Sequence, residues 1–503
     1  MEQPGTRPVI AIVGAGIAGL AAAFFLRDEP AQVIVLDGAA RPGGKLAVAE
    51  VAGCPVDVGA EALLTRRPEG TGLIEAAGLG GELVPAGTTA ARIWSRGEMR
   101  PLPARQFMGV PADAAGLAQA GLLSAAGLAR ARQEAELPGT DRAGDVPVAS
   151  YVAARFGQEV VDRLVDPLLG GVYAGRSEEL SFEATLPTLA SESRRHASLT
   201  EAAAALAGHP PVSGQAPAAP ASPVFTTLAA GLGTLPAAVA TASGATVRTS
   251  AMVRGLARTE RGWRLTVGSA HAEQYLDADA VVLAVPAGPA ARLLAGVPGT
   301  AAAVTGLREI GYASMAIVTL AYPAAAFPEP PAGSGYLVPA VDGRAVKAVT
   351  FSSVKWPHLR EGTGLVFVRC SLGRVGEEAL LQADDAGLAA LAARDLAAAT
   401  GVRGAPSATR VSRWGGGLPQ YTVGHLGRVA AIRAGVARQP GLAVCGAAYD
   451  GIGIPACVAT ARLAAGQIAA HLVAREVAAA AGGMADNGRT GRGAMAGTDG
   501  GRD

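Results

Sequence analysis

The chain has 503 residues, more than one hydrophobic core usually serves, so two or three domains are expected. Its 43 basic and 42 acidic side chains leave a formal net charge of +1, which gives no support for nucleic-acid binding. Half of the residues are hydrophobic, but Ala dominates them and aromatics are only 4%, so composition alone does not argue for a membrane protein. No uninterrupted apolar run reaches the ~18–20 residues of a spanning helix, and MEQPGTRP lacks the regions of a signal peptide. The expectation is a soluble cytoplasmic enzyme with no transmembrane segment, compatible with peripheral attachment to a membrane surface. Cys54, Cys370, Cys445 and Cys457 form no C-x-x-C pair, and the six histidines show no ligand spacing. Neither a disulfide framework nor a bound metal is expected.

The first element, Val9–Val13, is a short aliphatic run that reads as a buried strand. Gly14, Gly16 and Gly19 follow with G-x-G-x-x-G spacing, and Leu20–Arg27 continues as an Ala- and Leu-rich helix. Gly14 permits the tight turn, Gly16 lets the backbone approach a pyrophosphate, and Gly19 allows close helix–strand packing. The helix N-terminus, from Ala15 through Ile17 and Ala18, presents free N–H groups and a positive dipole end to that anion. A second strand, Gln32–Leu36, ends at Asp37, about ~20 residues on, where an acid would accept ribose hydroxyls. Strand, glycine turn, helix, strand and acid together predict a Rossmann-like dinucleotide site in an α/β fold.

Arg41, Gly43, Gly44 and Lys45 in ARPGGKL make a basic, glycine-bracketed loop. It resembles an element of the amine-oxidase-like flavoproteins that lies against FAD, so FAD is favoured over NAD. Val48–Cys54 and Val56–Val58 read as a hairpin leading to GAEALL, Gly59–Leu64, which suits close backbone approach to a flat ring. Ile74–Leu79 reads as a short helix and Ile93–Pro103 as a hairpin around an RGE turn. From Gln106 to Leu206 apolar residues recur at helical spacing, as in Val148–Phe156 and Glu159–Leu169. His209–Pro223 is Pro-, Ala- and Ser-rich and reads as a flexible surface loop.

Phe225–Ala240 predicts a turn and a helix. Strands are then expected at Thr246–Arg248, Met252–Arg258, Trp263–Val267, Gln274–Leu276 and Ala280–Ala284. A mixed region follows, with strands Ala316–Ala321, Arg344–Phe351 and Gly364–Cys370, a helix over about Glu377–Ala399, and a strand Ala408–Trp414. A strand at Leu442–Cys445 meets Gly446, Gly451 and Gly453 before a long helix that starts near Pro455. That second helix N-terminus can stabilise negative charge on a reduced flavin. Beyond Val477 the chain shows no apolar pattern and reads as disordered.

Four further stretches, in order, resemble the protoporphyrinogen/coproporphyrinogen oxidase family of FAD enzymes. They are Asp166–Ser181 (DPLLGGVYAGRSEELS), Gly335–Pro339 with Ser352–His358 (SSVKWPH), Arg413–His425 (RWGGGLPQYTVGH) and Cys445–Cys457. Met108–Pro111, MGVP, is most like the bacterial coproporphyrinogen III oxidases, although Ala112 stands where that group has Thr. The resemblance implies a discontinuous amine-oxidase-like FAD domain, a mixed α/β substrate domain and a helical, membrane-binding-like insertion. The divisions expected are 1–100, 224–300 and 441–476 for the FAD domain, 101–210 for the helical domain and 301–440 for the substrate domain. The loop 211–223 and the tail 477–503 stand outside them.

The same resemblance implies FAD contacts at Gly14 to Gly19, Asp37, Gly38, Lys45, Gly59, Ala60, Glu61, Ala62, Val253, Ala447, Ile452, Gly453 and Ile454. For the substrate it implies the carbonyl of Gly171 and a pocket lined by Tyr336 and Leu337. Carboxylates of a tetrapyrrole need cations, and Arg100, Arg105 and Lys347 are the candidates. No Ser-His-Asp order or carboxylate pair marks a side-chain catalyst. The implied reaction takes six electrons from coproporphyrinogen III through FAD to dioxygen, forming coproporphyrin III and hydrogen peroxide in haem biosynthesis. Protoporphyrinogen IX is the alternative substrate. An amine oxidase or carotenoid desaturase stands further off, as does a non-catalytic FAD protein that carries tetrapyrrole. Transient contact with the next enzyme of the haem pathway is compatible with any of the porphyrinogen readings.

Overall fold

Alternation along two short strands places the flavin-domain sheet between two cores. In the computed structural model, which describes residues 7–139, 144–207 and 223–490, Val9–Val13 and Gln32–Leu36 pair in parallel, Ile10 opposite Val33. Ile10, Ile12, Val33 and Val35 point to one face, and Ala11, Val13, Ile34 and Leu36 to the other. Thr246–Arg248, Ala280–Leu283 and Leu442–Val444 complete a five-stranded parallel sheet. Its order from one edge is Thr246–Arg248, Gln32–Leu36, Val9–Val13, Ala280–Leu283, Leu442–Val444. Three segments far apart in the chain therefore build one domain.

One face of the sheet is covered by the helices Ile17–Phe25, Leu235–Ser243 and the start of Ile454–Thr490. The other is covered by the antiparallel meander Val253–Arg258, Trp263–Ser269, Ala272–Ala278. The helices Ala301–Arg308 and His425–Ala437 pack on that second core as well. Both fall within 301–440, so that span contains pieces of the flavin domain.

The sheet expected to bear the substrate has seven strands ordered Ala408–Pro419, Tyr312–Pro323, Leu365–Leu372, Val346–Phe351, Gly335–Leu337, Ala91–Ser95, Glu98–Pro101. The last two strands form the expected RGE hairpin, but Ile93 pairs with Leu337 rather than joining the flavin sheet. The first flavin-domain segment thus ends before residue 91, not at 100. The helix Asp385–Thr400 backs this sheet, and Asp384 caps it by accepting from Gly387 N–H at 2.8 Å. That cap starts the helix later than Glu377, with a separate short turn over Glu378–Gln382 before it.

In the helical part of the chain, Val148–Phe156 leads through Gln158–Val160 into a wide turn and Asp166–Tyr173. Pro68 opens a helix Pro68–Ala76, six residues ahead of the predicted Ile74, because proline suits a first turn. The Pro-rich stretch 209–222 lies outside the described residues. The last helix runs from Ile454 to Thr490, through the first half of the tail read as unstructured. Its end is Ala-rich, and alanine favours helix without any apolar periodicity. Among the described residues this helix, over Ile454–Ala478, is long and apolar enough to cross a membrane by length and composition, and half of its most apolar window is buried inside the protein. Counting uninterrupted apolar runs overlooked it because Arg462 and Gln467 break the run.

Candidate active site

The glycine turn is built as its spacing demands. Gly14 has φ +107°, and a Cβ there would meet Ala284 O at 2.6 Å. A Cβ on Gly19 would fall 1.9 Å from Gly14 O, so no side chain fits between helix and turn. A Cβ on Gly16 would meet nothing within 4 Å, which leaves its backbone open to a ligand. Ala15, Ile17 and Ala18 are buried in the first turn, with Ile17 the first helical residue.

The basic loop closes over this turn. Gly43 N–H donates to Ala15 O at 2.8 Å, and Gly43 bridges Gly16 in parallel. Asp37 sits across from it: Oδ2 accepts from Ala15 N–H at 2.6 Å and Oδ1 from Ala39 N–H at 2.7 Å. Its carboxylate is therefore anchored to the glycine turn while the residue stays half-buried at the strand end. Gly38 lies under Met252, whose sulfur would stand 3.0 Å from a Cβ there. Met252 is exposed and adjoins Val253, the first residue of its strand. Nothing in the sequence set Met252 apart from an ordinary strand residue.

The C-terminal block arrives beside the same helix. Cys445 follows the strand Leu442–Val444, and the nearest atom to a Cβ on Gly446 would be that of Ala18, at 3.8 Å. Ala447 O accepts from the Tyr421 hydroxyl at 2.6 Å, and Gly451 N–H donates to the same hydroxyl at 2.8 Å. Tyr421 in turn stacks on His425, 3.8 Å between centroids, and His425 Nε2 lies 3.1 Å from Tyr449 O. This aromatic brace holds the turn 447–451, from which Ile452 and Gly453 lead to Ile454 at the start of the long helix. Lys45 is half-buried near Cys457. Burial lowers its ammonium pKa against the opposing pull of that thiol.

The Gly59–Ala62 loop is pinned from behind. A Cβ on Gly59 would strike Lys45 O at 2.0 Å, and Ala60 N–H donates to the same carbonyl at 3.0 Å. Glu61, expected within a loop whose backbone approaches the flavin, turns its side chain to cations. Its carboxylate is spent on Lys355, 3.0 Å, and Arg369, 2.5 Å, in a nearly buried cluster. Burial alone would raise its pKa, but Arg369 and Lys355 outweigh it and hold Glu61 down at about 2. Nearby Asp57 is pushed up to about 6 by burial, against the N–H groups of Gly233 and Leu232. Lys355 lies within the SSVKWPH stretch and Arg369 on a strand that carried no functional signal.

Gly171 and Leu337 do come together: a Cβ on Gly171 would lie 3.1 Å from Leu337 Cδ2. Leu337 and Ile452 both pack at the margin of the helical-domain core. Tyr336 does not join them. Successive strand residues point to opposite faces, and its ring is buried with Trp94 and Phe351 inside the substrate domain. Lys347 is likewise removed as a carboxylate partner, being 2% exposed with Nζ donating to Gly373 O at 2.5 Å. Arg105 stands 4.0 Å from Asp113 at the margin of the helical domain, and Arg100 pairs with Glu98.

Glycine turn, basic loop, C-terminal turn and Gly59–Ala62 loop converge from residues 14 to 454 on a cradle that fits a dinucleotide carrying a flat ring. The family model for flavin-containing amine oxidoreductases matches residues 17–469. The chain belongs to that family. This flavin-containing amine oxidoreductase is an FAD-dependent oxidoreductase with the family's α/β fold. It is 40% identical over 457 residues to a Mycobacterium tuberculosis protein named coproporphyrinogen III oxidase, covering 90% of this chain and 95% of that one. To a Bos taurus protoporphyrinogen oxidase it is 28% identical over 496 residues, 91% and 98% of the two chains. A solved structure from an Exiguobacterium species, with a provisional protoporphyrinogen oxidase assignment, superposes with a TM-score of 0.80 at 29% identity, over 92% and 99%.

Proposed function

We propose that this flavoprotein oxidises coproporphyrinogen III to coproporphyrin III, with dioxygen taking the electrons and leaving as hydrogen peroxide. The observation that carries the reading is the 40% identity to a protein of that name across nine-tenths of the chain. Bound FAD supplies the hydride acceptor. The protein's share is to hold the macrocycle and shape its cavity. Gly171, Leu337 and Ile452 offer an apolar wall where the helical domain meets the substrate sheet. With Lys347 buried, Arg100 and Arg105 stay as the candidates for a propionate, each beside a carboxylate. The lost protons belong to pyrrole nitrogens and bridge carbons of the substrate itself, so the reading assigns no side chain of the cradle as acid or base.

Protoporphyrinogen IX is the second reading, favoured by the bovine relative. The two substrates differ in two propionates against two vinyls, so the test is direct. The FAD-loaded protein is mixed anaerobically with each porphyrinogen while the flavin band and porphyrin fluorescence are followed. Bleaching with coproporphyrinogen III that outpaces protoporphyrinogen IX supports the first reading. The reverse order supports the second, and no bleaching with either removes both.

A further inference from the structure

Two side chains of the substrate sheet reach across to carbonyls of the flavin-domain loop. Arg369, on Leu365–Leu372, donates through Nη2 to Gly59 O at 2.5 Å and through Nη1 to Glu61 Oε2 at 2.5 Å. Its planar fork thus spans both ends of a three-residue segment, a geometry that a lysine ammonium does not reproduce. Trp414, on Ala408–Pro419, donates through Nε1 to Val58 O at 2.9 Å and lays its ring 3.2 Å from the position of a Gly59 Cβ. Those two strands flank Tyr312–Pro323 on either side, so the contacts come from one rigid sheet.

The surroundings make these contacts hard to replace. Arg369, Glu61 and Lys355 are 10%, 12% and 14% exposed at their side chains. Behind them lies a small internal cavity lined by Asp57, Thr319, Ser352, Trp356, His358 and Phe367. Removing one member of a buried ion cluster leaves the others uncompensated, so the cluster holds one geometry rather than several.

We propose that Arg369 and Trp414 are positioning residues that fix the Gly59–Ala62 loop in register with the substrate sheet, and so set the spacing between porphyrinogen and flavin. The inference rests on the proposed function and on the expectation from the sequence that this loop meets the flat ring of the flavin. Hydride transfer falls steeply with misplacement of the reacting atoms, so a loosened loop slows reduction even when both ligands bind. Each acts through the loop: Trp414 through the Val58 carbonyl, Arg369 through the Gly59 carbonyl and the Glu61 carboxylate.

The test uses the FAD-loaded full chain as wild type, Arg369→Lys and Trp414→Phe. Trp414→Phe removes the N–H and one of the two fused rings but keeps an aromatic side chain and leaves the buried ion cluster intact, so it serves where Arg369→Lys fails to load flavin. Three quantities are read: FAD affinity, the visible flavin spectrum with its midpoint potential, and the rate of flavin reduction by porphyrinogen. The expected result is a displaced flavin band and a reduction rate lower by about tenfold to a hundredfold per bound flavin, with KM little changed. Flavin spectrum and reduction rate matching wild type in a loaded variant would overturn the proposal, whatever happened to thermal stability. A wild-type protein that is yellow but never bleached by porphyrinogen would instead remove the substrate reading, while the spectrum and potential of the variants still decide whether the loop is held by these contacts.

Discussion

Gly16 and Gly19 stand three positions apart and have opposite requirements. Gly16 has ordinary extended backbone, φ −72° and ψ 176°, and a Cβ there meets no protein atom within 4 Å. Gly16→Ala is therefore expected to fold with unchanged stability in the absence of FAD, yet to bind FAD at least about tenfold more weakly, because the methyl stands where the pyrophosphate approaches. Flavin titration of the apoprotein beside its urea curve checks this. Equal affinity would mean that Gly16 does not face the phosphates. Lys347 gives a prediction about pH. Burial, reinforced by Arg374, lowers its pKa from 10.5 to about 7. Between pH 7 and 10.5 the unfolded chain then binds more protons than the folded one, so stability rises with pH through that window. Lys347→Met removes this term, and the difference between the two proteins should change by roughly 2 kcal/mol from pH 7 to 9. Parallel urea midpoints across that range would contradict it. The motif made the glycines legible because each performs one local steric task. Lys347 was not, since its depth depends on which face of a strand its neighbours cover.

Strand alternation decides which residues of an element reach the substrate. Gly335–Leu337 sends Tyr336 into the domain core and Leu337 toward Gly171. Tyr336→Ala should cost about 3–5 kcal/mol of folding stability, in the range of large aromatic truncations. Leu337→Ala should leave most of that stability and instead raise KM for porphyrinogen. Equilibrium unfolding and steady-state kinetics on the two variants read the contrast, and a KM effect confined to Tyr336→Ala would reverse the assignment of faces. The pair Tyr-Leu was visible in the sequence, but its orientation was not: a three-residue strand offers one alternation and no pattern to phase it. The helix His425–Ala437 went unread for a related reason. It begins inside a stretch singled out as a motif, and only Val429, Ile432 and Val436 of its apolar residues reach the flavin-domain core, while Leu426 is exposed. Glu61 shows the opposite failure. Its position in the loop was expected, but not the ion cluster, because Lys355 and Arg369 lie 294 and 308 residues further along and only the fold brings them in.

At the scale of the whole molecule, the discontinuous flavin domain was legible as strands, and its boundaries were not. Four of the five strands of that sheet carry a short apolar run, Thr246–Arg248 being the exception, whereas membership of Ala91–Ser95 in the other sheet depends on a pairing with Leu337 more than 240 residues away. The same discontinuity makes the cofactor a tie between distant segments. Of the residues proposed to hold it, 14–19, 37–45 and 59–62 come from the first segment, Val253 from the second, and 447–454 from the third. A ligand bound there by the folded chain and not by the unfolded one stabilises by RT ln(1 + [L]/Kd), about 2.7 kcal/mol at a hundredfold excess over Kd. Because the melting entropy grows with chain length, such a gain shifts the midpoint of this 503-residue chain by only about 2–3 °C. Adding FAD to the apoprotein should therefore raise the melting temperature in a concentration-dependent way. Protease protection should spread to all three segments together, since none completes the cradle alone. Protection confined to residues 9–64, with the C-terminal helix cut as fast as before, would mean that the turn 447–451 and Ile454 do not take part in holding the cofactor.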